Sequence, residues 1–418
     1  MKKAIALFCL LTVTLIAVPD YVILNVMGET ISCGEWNCPP NNDLTTVGSM
    51  PNQIFSDEYD ELWVVSSGES KIQKLQVGHS SASIIEEYNL PAGSNPYLMY
   101  RYGDTICTSL WVSGGIGIID VNTDLVTTTD SFCLGPQGIL INNDYIYVTA
   151  GNLDPISMIY DEGQLFRLNR MGEVIDFVNI GINPQQIIMG PDDNLHIVCT
   201  GDYFSVEGVV YIVSPTSLEV IDSVMLGGNP QRLALDQSTG KIYSATSIWG
   251  TSMSGRLLAY NGVSHDLIWS SGDFDNVLFG TGFSGLACRD DWVYIPSMDS
   301  SCVEIVHISS GSISDRMIFD TGYGPLDVAF IDNTGINDSK NIDDLEIKAY
   351  PNPFNSSVKF DSPSDCKISI YTLQGQLIAT LNEPEYIWTP DKSLSSGNYL
   401  AKIESDREIK AQKLLYIK

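Results

Sequence analysis

Gly227-Gly228-Asn229-Pro230-Gln231-Arg232-Leu233-Ala234-Leu235-Asp236 is the stretch that decides the fold, because edited copies of it return along most of the chain. Each copy has a glycine, a small or amide residue and a proline, then alternating apolar positions that end in a polar turn. The copies lie at 48–54, 93–98, 135–140, 181–188, 228–235 and 322–330, with a proline-less form at 282–287. Glycine permits positive φ where one unit hands over to the next, and proline, lacking an N–H, starts a strand without costing a ladder bond. Pro51, Pro96, Pro136, Pro184, Pro230, Ser284 in the equivalent place, and Pro325 are separated by 45, 40, 48, 46, 54 and 41 residues. A period of roughly 40 to 50 residues around four short strands predicts the blades of a β-propeller.

Working outward, complete blades are expected at 51–90, 96–134, 136–180, 184–226, 230–278 and 284–319. Their second strands are the most apolar, as in Leu62-Trp63-Val64-Val65, Tyr145-Ile146-Tyr147-Val148 and Trp292-Val293-Tyr294-Ile295, and turn residues such as Asp60-Glu61 and Asp290-Asp291 precede them. Three strands within 20–47 come before the first opener, and 325–331 is an opener with nothing after it. Together they make a seventh blade. Closing a loop of about 300 residues costs roughly 5 kcal/mol. Leu326, Val328 and Phe330 offset this at about 1.5 to 3 kcal/mol each when buried.

Residues 1–17 read as a secretory signal peptide: Lys2 and Lys3 precede a 15-residue apolar run, too short to span a bilayer. Net charge is −29. The segment from Leu345 onward carries nine basic and nine acidic groups, so residues 18–344 hold 11 basic against 42 acidic, or −31. Such a field repels phosphate backbones and argues against a nucleic-acid partner. Cys9 leaves with the leader, and of the other eight cysteines Cys33 and Cys38 flank a short loop that a disulfide would close. No CxxC pair points to zinc.

The repeat resembles the YVTN/YncE-like family of seven-bladed propellers, which pairs a Gly-x-x-Pro opener with a Tyr-Val-like second strand and an "Ile-Asp" third strand, as at Ile119-Asp120. The resemblance covers about residues 20–332 and implies architecture rather than activity. The chain departs from it at Ser284 and in a long second hairpin at 248–256. A polar linker follows at 333–344, and 345–418 holds seven short strands that suggest a small Ig-like β-sandwich. This tail resembles the type A C-terminal sorting domain of the type IX secretion system on three blocks in order. They are Tyr350-Pro351-Asn352-Pro353-Phe354-Asn355, then 368–377 with Gly375, then Ser396-Gly397-Asn398-Tyr399-Leu400. The resemblance implies a Gram-negative host and passage through the type IX machinery. It further implies tail removal, with release or attachment at the outer-membrane surface.

The expected fold class is therefore all-β: a seven-bladed propeller at 18–332 followed by the small sandwich. Where the inner strands begin, the chain offers Asn52, Asn95, Gln137, Gln185, Asn229, Gln231 and Arg232. Amides are poor nucleophiles and bases but orient a ligand by hydrogen bonds. Two roles fit them: a ring that cups a glycan, small molecule or protein ligand, or brackets for turn backbone between blades. His79, His196, His265 and His307 share no motif, and spacing assembles neither a metal set nor a catalytic one. Asp192-Asp193-Asn194 lacks the rest of a calcium loop and reads as a hairpin turn. Trp249 and Trp269 are candidates to stack on sugars. The sequence thus reads as a secreted or surface binding or scaffold module, needing no cofactor, with a divalent cation left open. The alternatives are a metal-dependent propeller lyase or hydrolase and a purely structural envelope protein.

Overall fold

In the computed structural model the two ends of the main body meet: Tyr21–Asn25 lies antiparallel to Pro325–Phe330, with Ile23 opposite Val328. Thr30–Gly34 and Asn41–Thr46 complete that sheet. The structure describes residues 21–331, apart from 36–37, 79–80, 155 and 249–253, and from 348 onward all but 351–353, 362–366, 373–376, 382–385, 392–393 and 405–408. The expected leader and linker, Trp249, and the motif residues Pro351, Asn352, Pro353 and Gly375 lie outside the described residues. The chain divides into two units, Met1–Asn333 and Thr334–Lys418.

In the first unit the described residues form seven antiparallel sheets. The second runs Pro51–Ser56, Leu62–Ser66, Lys71–Gly78, Ser81–Asn89, and five more follow at 96–128, 136–182, 184–225, 234–278 and 287–320. No single core holds them. Seven apolar clusters lie one between each pair of successive sheets, and the last, with Tyr21, Ile23, Tyr294 and Val303, joins the seventh sheet back to the first. This explains the apolar second strands. Alternate side chains point to opposite faces, so Val64 packs toward the first sheet and Val65 toward the third, and both are fully buried. Hydroxyls near the end of the second strand then latch onto the next inner strand. Ser67 donates to Pro96 O, Ser109 to Gln137 O at 2.6 Å, Thr149 to Gln185 O at 2.8 Å and Thr200 to Pro230 O at 2.8 Å.

Three expectations need correction. The inner strands expected from 230 and 284 begin only at Ala234–Leu235 and Ala287–Arg289. In the sixth sheet, side chains take over the ladder's partners: Ser244 Oγ donates to Arg232 O at 2.6 Å, and Asn229 N donates to Thr246 Oγ1 at 2.7 Å. Cys33 and Cys38 are free thiols. Cys33 faces the apolar cluster between the first two sheets, where burial pushes its pKa up to about 12, whereas Cys38 is exposed. Trp269 is buried between the sixth and seventh sheets and presents no stacking face.

The second unit is a two-sheet sandwich, ordered Lys348–Tyr350, Val358–Asp361, Ile387–Trp388 and Leu377–Leu381, Lys367–Thr372, Gly397–Glu404, Ile409–Tyr416. One core takes Val358, Phe360 and Trp388 from the first sheet and Ile368, Ile370, Tyr399, Leu414 and Tyr416 from the second. Tyr399 of the sorting motif packs edge-on against Trp388, ring centroids 5.3 Å apart, and its hydroxyl donates to Ser395 O. Gly397 sits at φ 157°, with room for a side chain.

Candidate functional site

The openers shape the channel through two local devices. The residue before proline is left-handed at Met50, Asn95, Gly135, Asn183 and Gly324, with φ between 49° and 69°. After the proline, the register slips at Pro51/Gln53, Pro96/Met99, Pro136/Ile139 and Pro184/Ile187. A bulge of this kind re-aims side chains at a strand end, and here it turns the opener residues inward.

At one mouth of the channel, Asn183 is fully buried, and its Oδ1 accepts from Gln137 Nε2 at 3.0 Å and Gln185 Nε2 at 2.8 Å. Its Nδ2 makes no close hydrogen bond and lies against the phenols of Tyr160 and Tyr203. Those two rings have centroids 6.3 Å apart, and Tyr97 OH donates to Gln185 Oε1 at 3.4 Å. Burial raises the pKa of both phenols against a lowering influence from Asn183, so they remain neutral hydrogen-bonding groups. Gln231 adjoins Tyr203. Two loops flank the mouth with apolar tips beside Asp-anchored turns. Asp154 accepts from Ile156 N and Ser157 N, and Asp202 from Phe204 N, Ser205 N and Val206 N, while Ile156 and Phe204 stand 92% and 96% exposed.

Further along, a cleft of about 340 Å³ takes lining residues from five sheets, among them Gln53, Asp57, Gln186, Arg232, Arg289 and Asp327. Arg232 crosses the channel from the sixth sheet: its Nη2 donates to Asn52 O at 3.3 Å, and its buried Nη1 has no partner among the described residues. Asp327 is buried and accepts from Ile54 N. Gln53 and Gln186 bracket the neighbouring sheets in the same way, accepting from Met99 N at 2.7 Å and Leu233 N at 2.6 Å. The described lining carries no histidine or cysteine, so its chemistry is hydrogen bonding and charge.

Burial raises the Asp327 pKa to about 6, overcoming the lowering effects of Arg232 and two backbone N–H groups. A carboxyl that ionises near 3.8 when unfolded and near 6 when folded leaves stability intact below pH 4 and removes it as pH climbs to about 6. The cost above that window is roughly 3 kcal/mol at 1.36 kcal/mol per pH unit. Asp327→Asn keeps one acceptor oxygen and removes the charge. Urea unfolding at pH 7.5 is expected to show the variant more stable by about 2 to 3 kcal/mol, and at pH 4 no difference.

The structure thus separates the seven sequence candidates. Gln137, Gln185 and Gln231 gather at the mouth, and Asn52 meets Arg232 across the channel. Asn229 spends its side chain on Thr200 O, and Asn95 serves as a left-handed backbone residue whose carbonyl accepts from Trp111 N. Sequence reasoning missed Tyr160 and Tyr203, which lie in loops outside the repeat, and Asp327, which stands where other openers carry glutamine, leucine, glycine or arginine. It also missed that Asp192, His196 and His265, from two adjacent sheets, converge outside the residues of the channel.

Residues 348–418 match the family described as secretion system C-terminal sorting domain. No curated protein sequence matches the chain. Among solved structures, a putative 6-phosphogluconolactonase from Bacteroides uniformis ATCC 8492 is 11% identical with a TM-score of 0.56, covering 75% of this chain and 99% of its own. A second putative 6-phosphogluconolactonase, from Bacteroides fragilis NCTC 9343, is 9% identical at TM-score 0.56 over 76% and 99%. Kuenenia stuttgartiensis hydrazine synthase is 13% identical at TM-score 0.52 over 68% and 91%. At these identities the likeness is one of fold. The chain is an all-β propeller followed by a type IX sorting domain, which engages that secretion machinery and directs export to the cell surface or the medium.

Proposed function

We propose that the protein is an exported binding module of a Gram-negative cell that takes a hydroxyl-rich ligand, the end of a glycan chain, at the mouth around Asn183. The carrying observation is the polar cluster built on the fully buried Asn183, whose Oδ1 is held by two glutamines and whose amide lies against the phenols of Tyr160 and Tyr203, Tyr203 being exposed. A phenol held from behind in this way presents its hydroxyl to a ligand hydroxyl. Tyr97, Tyr160 and Tyr203 supply aromatic surface with a polar end, suited to sugar rings that present C–H on their faces and O–H at their edges. The exposed tips at Ile156 and Phe204 extend that surface for a longer ligand. The seven sheets and the Gly-x-x-Pro openers support a place for the body among YVTN/YncE-like propellers, with 1–17 as a cleaved leader.

The test is a glycan array followed by calorimetry on the best hit. Tyr203→Ala and Gln185→Ala are each expected to weaken binding by about tenfold or more, the equivalent of about 1.4 kcal/mol; the exposed Tyr203→Ala keeps the parental thermal midpoint, whereas Gln185→Ala, at a buried hydrogen-bonded position, lowers it. Parental affinity in both variants would overturn the reading.

A further inference from the structure

We propose a second site, separate from the channel: a three-ligand centre for one divalent first-row transition ion of the zinc class, held by Asp192, His196 and His265. Asp192 begins the turn between the first two strands of the fifth sheet, where Asn194 Nδ2 donates to its Oδ2 at 2.8 Å. His196 lies on the next strand, Leu195–Cys199, with a fully buried side chain. His265 comes from the sixth sheet, on a turn where it adopts φ 61° and donates its N–H to Asn261 O at 2.9 Å.

Both imidazoles aim Nε2 at the same carboxylate, His196 at 2.9 Å from Asp192 Oδ1 and His265 at 3.2 Å from Oδ2. The three ligand atoms lie within 4.8 Å of one another. A tetrahedral ion with bonds of about 2.0 to 2.1 Å wants its donors about 3.3 Å apart, and the two nitrogen–oxygen spacings, 2.9 and 3.2 Å, are already close to that. Gly190 leaves the space: a Cβ there would stand 2.2 Å from His196 Nε2 and 2.5 Å from Asp192 Oδ1.

The outer nitrogens are already engaged. His196 Nδ1 is 2.9 Å from Tyr260 OH, and His265 Nδ1 is 2.7 Å from Asp222 Oδ2. Metal-bound imidazoles are commonly fixed in this way, with Nδ1–H given to a carboxylate or other acceptor and Nε2 left for the ion.

Two nitrogen donors and one carboxylate select zinc-class ions over calcium or magnesium, which prefer oxygen cages. Asp192 and His265 keep 10% and 13% of their side-chain surface exposed, which leaves a fourth position for water.

The test uses the full chain without a histidine tag, stripped of metal. Zinc calorimetry is expected to give one equivalent per chain with a raised unfolding temperature. Cobalt(II) is expected to give the visible d–d bands of a four-coordinate site, and excess calcium or magnesium not to displace it. His196→Gln alters a fully buried site, so His265→Gln, on an exposed turn, decides: it should abolish the one-equivalent binding while unfolding like the metal-free parent. Tyr260→Phe should retain the ion with affinity lower by roughly tenfold, and His307→Gln should change nothing. No saturable one-equivalent binding in the micromolar range, or parental affinity in His265→Gln, overturns the proposal.

Discussion

Deleting Ile409–Lys418 is expected to abolish export and leave the protein inside the cell. The strand Ile409–Tyr416 pairs along its whole length with Gly397–Glu404, and it carries Leu414 and Tyr416 into the sandwich core. Tyr416 also forms a bridge with Phe354, their ring centroids 5.3 Å apart, and Ile417 N donates to Phe354 O at 2.8 Å. Phe354 closes the Pro-Asn-Pro-Phe block, so the last strand ties the first block of the sorting motif to the chain's final residues. Without it, the strand Gly397–Glu404 becomes an open edge and the core loses two large side chains. Each such truncation costs about 3 kcal/mol or more, a large share of what an 85-residue unit possesses.

The measurement is fractionation of the host with mass spectrometry of each fraction. The parent is expected in the medium or at the surface, with a mass reporting loss of the leader and of the tail. The deletion variant is expected in the periplasm, its leader removed and the remaining tail intact. Leu414→Ala, a milder lesion, should export a reduced fraction. Deletion protein reaching the exterior at the parental level would sink the assignment of a transport role to this strand.

The fold was legible because its determinants are local and repeated. A proline at the start of five of the seven inner strands and an apolar second strand are requirements of a single sheet, and each appears in the residues that meet it. Ring closure was legible by subtraction, since three strands lacked a first and one first strand lacked its three. The finer chemistry obeys different constraints. Opener glycines take the left-handed conformation as expected at Gly93, Gly135, Gly228 and Gly282, and Met50, Asn95 and Asn183, each before a proline, take it without being glycine. A glycine search alone finds the first set and misses the second.

Contacts between sheets were harder to read. Asp192 and His265 are 73 residues apart, a separation unrelated to the repeat, because one occupies the first hairpin of its sheet and the other the last hairpin of the next. Tyr160 and Tyr203 come from loops whose lengths vary between blades, so no period marks them, whereas Tyr97 follows an opener proline. The most complete copy of the repeat, at 227–236, gives one of the shortest inner strands, since side-chain hydroxyls of Ser244 and Thr246 replace its ladder partners. Sequence similarity to the repeat measures the turn, while strand length depends on the neighbour.

Ile23→Ala and Leu24→Ala are each expected to destabilise the propeller by about 3 to 4 kcal/mol, and together by nearly the sum. Tyr21–Asn25 is buried at every position, lying between Pro325–Phe330 and Thr30–Gly34 within its sheet. Its two faces serve different neighbours: Ile23 packs with Tyr294, Val303 and Ile305 of the seventh sheet, and Leu24 with Ile54, Leu62 and Val64 of the second. Because the residues face opposite clusters, their cavities do not merge. A combined loss of about 6 to 8 kcal/mol approaches the entire 5 to 15 kcal/mol by which domains are stable. Urea unfolding of the full chain, with Ile221→Ala on an exposed outer strand as control, measures this. The control should move by less than about 0.5 kcal/mol. If the double variant unfolds at the parental midpoint, the strand is not the closure of the ring. If only Ile23→Ala is costly, the ring closes on the seventh sheet alone, and the cluster shared with the second adds little.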